Sequence, residues 1–118
     1  MIEVNEYVRT NKGNIGKVVE IRLGFNKDTQ LYQNVYMLDN GLWTILEYIV
    51  NHSKQLIDLV EVGDYVNGHL VEEVRISCFD SLIFVHEYEI ELREKDIKTI
   101  LTKESYMANC SKVGGEDE

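Results

Sequence analysis

Runs rich in Val, Ile, Tyr and Phe return about every ten residues along the chain, separated by glycines or Asn/Asp clusters and never interrupted by proline. That spacing leaves no room for a helix between strands, so it selects short antiparallel strands over βαβ units. The pattern predicts strands at Tyr7–Arg9, Gly16–Arg22, Gln33–Leu38, Leu42–Leu46, Asp64–Val66, His69–Ile76, Leu82–Glu91 and Ile97–Leu101. Glycines 13, 16, 24, 41, 63 and 68 stand at the expected turns. A short helix is expected at the end, where Thr102 offers an N-cap hydroxyl ahead of Glu104, Ser105, Tyr106, Met107 and Ala108. A single helical turn is expected over Ser53–Asp58, with a loop as its alternative.

One segment nearly repeats itself. Glu3-Val4-Asn5-Glu6-Tyr7-Val8, followed by Val19-Glu20-Ile21-Arg22, parallels Glu61-Val62-Gly63-Asp64-Tyr65-Val66, followed by Glu73-Val74-Arg75. Each half reads as an acidic turn, a strand opening on Tyr-Val, a glycine-containing turn and a β-branched returning strand. Two hairpins shaped by the same physics account for this without a duplication, and such hairpins open small SH3-like barrels. The fold expected is therefore mainly β with a minor α part: a small SH3-like β-barrel with added strands and a short C-terminal helix. At 118 residues and 44% hydrophobic content the chain supports one compact core, not comfortably two. Residues 1–113 are read as a single β-rich domain and 114–118, two glycines and three acids, as a mobile acidic tail.

Charge narrows the partners. The formal net charge is −9, and between Asp58 and Glu91 only Arg75 offsets the acids. Such a field repels phosphate backbones, so direct nucleic-acid binding is not expected. No apolar run is long enough to span a bilayer, and the start of the chain lacks the basic, then apolar, pattern of an export signal. A cytoplasmic protein with no membrane association is expected. Cys78 and Cys110 are far apart and are read as reduced thiols.

The strongest local pattern is His86-Glu87-Tyr88-Glu89-Ile90-Glu91-Leu92. In a strand, Glu87, Glu89 and Glu91 would line one face and Tyr88, Ile90 and Leu92 the other. Carboxylates two residues apart would stand about 6.8 Å apart, near the spacing of successive phosphates, and could occupy a basic groove on another protein. The plainer explanation is a solvated strand face whose charge prevents edge pairing. Asp64, Glu72 and Glu73 extend the negative field. His52, His69 and His86 are isolated from further metal ligands, and no nucleophile elbow or phosphate-binding glycine loop is present. No metal or cofactor is expected, and no catalysis. Among the aromatics, Trp43, close to the Asn40-Gly41 turn, is the best candidate for an exposed anchor.

Three stretches look familiar: Tyr7–Lys17 (YVRTNKGNIGK), Ile49–Gly68 (IVNHSKQLIDLVEVGDYVNG) and Asp96–Glu104 (DIKTILTKE). They resemble small uncharacterised phage and prophage proteins of Gram-positive, clostridium-like bacteria. The resemblance implies a mobile-element origin and a small barrel, and carries no catalytic residues. Leu23–Leu38 and the strand around Phe84 depart from the pattern, which makes them the places where partner specificity would reside. The function expected is that of a non-enzymatic phage accessory protein binding a host or phage protein with a basic groove. Its sharpest form is an anti-CRISPR-like inhibitor of a nucleic-acid-directed defence enzyme, acting through the acidic face. The alternative is a structural or assembly protein of a phage particle or its replication machinery, in which strand edges build a homo-oligomer.

Overall fold

The computed structural model describes residues 1–77, 80–85 and 87–109 and places ten strands in two five-stranded antiparallel sheets. Cys78, Phe79, His86, Cys110 and the acidic tail, with the expectations attached to them, lie outside the described residues. The first sheet contains β1 (Tyr7–Thr10), β2 (Ile15–Asn26), β3 (Leu31–Leu38), β4 (Trp43–Ile45) and β5 (Ile49–Ser53), in the order β4-β3-β2-β1-β5. The second contains β6 (Tyr65–Val66), β7 (His69–Arg75), β8 (Leu82–Val85), β9 (Ile90–Leu92) and β10 (Ile100–Leu101), in the order β10-β6-β7-β8-β9.

The two orders are the same order. Each unit is a four-stranded meander whose fifth strand returns to pair with the first, and a 3-10 turn precedes that fifth strand both times: Leu46–Tyr48 and Glu94–Asp96. This is the connectivity of a small SH3-like barrel, and the expected added strands are a second copy of it. The units also open identically. The Glu6 N–H donates to Glu3 O and the Asp64 N–H to Glu61 O, both at 3.1 Å, through Asn5 (φ 80°) and Gly63 (φ 99°). The acidic side chain then accepts the Glu3 N–H (2.9 Å) or the Glu61 N–H (2.8 Å). Val18 and Val71, at the same place on the returning strands, each donate 2.8 Å bonds to Glu6 O and Asp64 O. Register shifts follow at Val18/Glu20 and Val71/Glu73. The partial repeat in the sequence is thus the visible part of a repeat in the whole topology.

Each unit has its own apolar cluster. Ile2, Val8, Val18, Tyr36 and Leu38 form one; Ile57, Val60, Val66, Val71, Ile83, Val85 and Leu92 form the other. The single core expected from chain length is therefore two small ones, because each curled sheet closes over its own inner face. The resulting body is flat, 50 × 48 × 19 Å.

Other departures are local. β5 has no counterpart among the expected strands, since Asn51-His52-Ser53 carries no strand signal; its pairing with β1 imposes the conformation. The turn expected over Ser53–Asp58 is a 3-10 turn at Leu56–Leu59. Ile97–Leu101 contracts to Ile100–Leu101, whereas β2 and β3 extend beyond their expected ends. The closing helix α1 (Lys103–Asn109) starts where expected, with the Thr102 hydroxyl accepting the Ser105 N–H at 3.2 Å. Among the described residues no helix is long and apolar enough to cross a membrane.

Candidate functional site

A buried ion pair joins the two units. Arg9, fully buried on β1, makes a bidentate ion pair with the equally buried Asp64 (Nη1–Oδ2 2.5 Å, Nη2–Oδ1 2.9 Å). Arg9 also donates to Leu59 O at 2.9 Å and to Glu104 Oε1 of α1 at 2.6 Å. Burial pushes the Arg9 guanidinium down, but the hydrogen bonds with Asp64 and Glu104 and the nearby charges outweigh it and hold Arg9 above its ordinary value. Asp64 additionally accepts the Glu61 and Lys103 N–H groups, so both of its oxygens are occupied. Asp64 is therefore a structural centre and not, as its charge suggested, part of a partner-binding surface.

The carboxylate ladder does not form. The expected strand Leu82–Glu91 divides into β8 and β9 around a turn in which Glu87 and Tyr88 have φ of 57° and 68°. Positive φ at two successive residues is the type I′ geometry that suits the twist of a tight hairpin. Neither residue is Gly or Asn, so no turn signal marks the reversal and the Glu-Tyr-Glu-Ile-Glu alternation reads as continuous strand. Glu87 and Glu89 consequently lie on the turn and only Glu91 is in a strand. Glu73 and Glu91 oppose Phe84 from either side, in register, and the Arg75 guanidinium sits 4.7 Å from the Phe84 ring while pairing with Glu73. Glu72, at the β7 bulge, accepts the Tyr88 N–H at 2.9 Å. This end of the molecule is acidic, but Glu72 is tied to the turn backbone and Glu73 to Arg75, and Glu87, Glu89 and Glu91 do not share one strand face.

Of the residues singled out in the sequence, Trp43 is the one that the fold places in a cleft. It is 39% exposed on β4, beside Leu42, and with Tyr48 of the first 3-10 turn it lines a cleft of about 490 Å³. The β1–β2 loop supplies the polar wall, with Thr10, Asn11, Lys12 and Asn14. Several bonds fix that wall. Thr10 and Asn14 close the loop on each other, and the Asn11 N–H donates to Tyr48 O at 2.8 Å. Gly13, at φ 84°, rests against the second unit, its carbonyl accepting the Thr102 hydroxyl at 2.6 Å. A Cβ at Gly13 would lie 2.3 Å from that hydroxyl, so only glycine allows the loop to pack there. On the remaining side, the Arg22 guanidinium lies 5.4 Å from the Trp43 ring and steadies it.

The cleft's chemistry is an apolar aromatic wall together with amides, hydroxyls and one ammonium, with no carboxylate among the described residues that line it. The neighbouring turn marks Trp43 in the sequence. Nothing local marks Tyr48, Asn11 and Asn14, which reach the cleft only through β5 and the closed loop. Among the described residues no group of three or more His, Cys, Asp or Glu side chains could hold a metal ion. No protein-family model, curated protein or solved structure matches the chain.

Proposed function

We propose that this chain is a non-enzymatic phage accessory protein that binds an extended segment of a host or phage protein in the Trp43 cleft. The observation that carries this reading is a preformed aromatic cleft whose polar wall is held by hydrogen bonds from both units, so little order has to be acquired on binding. Trp43 and Tyr48 offer stacking area at small rotamer cost. Asn11 and Asn14 can pair with a peptide backbone. Lys12 is exposed in a lining that holds no carboxylate among the described residues, which favours an acidic residue beside an aromatic or aliphatic one. The partner feature that fits is thus an apolar-acidic segment and not a basic groove. An inhibitor acting by phosphate imitation loses its support, because the carboxylates meant to imitate the backbone are divided between a turn and a strand.

Trp43 is the chain's single tryptophan, so its emission reports directly on the cleft. Panning a random peptide display library against the protein should enrich apolar-acidic sequences. The enriched peptides should change Trp43 fluorescence on titration, and Tyr48→Ala should weaken them at least 10-fold, about 1.4 kcal/mol. Peptides that bind Tyr48→Ala and the parent equally, or a library that yields none, would count against the cleft as the binding site. The assembly alternative is favoured by a separate feature, the outer half of the β2–β3 hairpin.

A further inference from the structure

The β2–β3 hairpin outgrows its counterpart. β2 has 12 residues and β3 has 8, against 7 in β7 and 4 in β8. Within the first sheet, β1 pairs with β2 only over residues 15–17, and β4 pairs with β3 only over residues 35–37. Beyond those limits the hairpin continues as a two-stranded arm with the pairs Leu23↔Asn34, Gly24↔Gln33, Phe25↔Tyr32 and Asn26↔Leu31. Ile21 and the buried Tyr36 oppose each other on the face that packs into the first core. Strand alternation carries that same face outward through Leu23, Phe25 and Tyr32. These three are 69%, 53% and 68% exposed, with the Phe25 and Tyr32 rings edge to face at 5.2 Å. The core face therefore runs on past the core, and among the described residues nothing in the chain covers it.

A free two-stranded ribbon is marginal in water and an apolar one invites pairing. Charge indicates what covers this one. The molecule carries −9, yet from Glu20 to Leu38 the charged residues are Glu20, Arg22, Lys27 and Asp28, two of each sign. Residues 1–57 carry six acids and six bases, so the arm belongs to the neutral half of an acidic protein and two copies can meet there while their acidic halves stay apart. We infer that the arm is a homodimer contact, in which Leu23, Phe25 and Tyr32 of one copy pack against the same residues of a second about a two-fold axis. An isologous contact needs only this one surface. The exposed apolar side chains contribute on the order of 400 Å² per copy, and the arm's edges and polar groups bring it toward the roughly 800 Å² of a standard interface, so a reversible dimer is expected.

Sedimentation equilibrium of the full chain from about 1 μM to 1 mM tests this. The parent should pass from monomer to dimer and no further, and the dimer should tighten between about 50 and 500 mM NaCl as the repulsion between bodies is screened. Phe25→Glu and, separately, Tyr32→Ser should each weaken dimerisation at least 10-fold with an unchanged circular dichroism spectrum, since both side chains are more than half exposed. A parent that stays monomeric at about 1 mM, variants that dimerise like the parent, or a mass that climbs past the dimer would each overturn the inference. The outcome is independent of peptide binding at Trp43, because the cleft and the arm face use different residues.

Discussion

Glu6 and Asp64 occupy the same position in the two units, yet they have acquired different partners. Asp64 meets a permanent cation, Arg9, whereas the buried Glu6 pairs with His52 Nδ1 at 2.7 Å. The hydrogen bond from His52 holds the Glu6 carboxyl below its ordinary value of 4.5, against the effect of burial, and the Glu3 N–H adds to the lowering. A carboxyl lowered by folding stabilises the fold fully above its unfolded value and loses that contribution as pH falls through the folded one. Glu6→Gln should therefore be less stable than the parent at about pH 6, and the gap should narrow steadily below about pH 4.5. Urea midpoints measured from about pH 6 to pH 2.5 check this; a gap that widens toward acid would show that Glu6 does not gain stability from ionisation. The repeated acidic turn was legible in the sequence. What each acid binds was not, because His52 and Arg9 are brought in by strands 46 residues and 55 residues away in the chain.

At the level of elements, strands with Val, Ile and Tyr alternation were readable almost to the residue, as β1, β7 and the start of β2 show. Where local preference misleads, tertiary structure has overridden it. β5 exists because β1 offers it an edge, and the β8–β9 turn exists because the meander must reverse there, although Glu87 and Tyr88 are poor residues for positive φ. The second case has a measurable consequence. Replacing Glu87-Tyr88 by Asn-Gly supplies the residues that a type I′ turn favours and should stabilise the protein by about 0.5–1 kcal/mol. In a continuous strand the same change would destabilise, since Gly weakens strand interiors. Thermal melting of the double variant separates the two, and a lowered midpoint would return Glu87, Glu89 and Glu91 to a single strand face.

As a whole, the molecule is one five-stranded plan used twice, with two apolar cores that share no residue and a polar rivet between them. Only the opening turn, the first strand and part of the returning strand of each copy are recognisable in the sequence, because the second copy has shorter strands and different side chains at matching positions. The cleft depends on this arrangement: Gly13 is pinned by Thr102, and Arg9 joins β1 to Asp64 and α1. Removing Asp64 leaves the buried Arg9 with only the part-exposed Glu104 and Leu59 O, and takes the acceptor from the Glu61 and Lys103 N–H groups, at a cost of about 3–5 kcal/mol. Trp43 reports only on the first unit, while far-ultraviolet circular dichroism reports on both. Urea unfolding of the parent and of Asp64→Ala, followed by both signals, is the most direct test. The two curves should coincide for the parent, whereas in Asp64→Ala they should separate, with stability reduced by about 3–5 kcal/mol. Superimposed curves in the variant, with a loss under about 1 kcal/mol, would contradict two cores held together through Arg9.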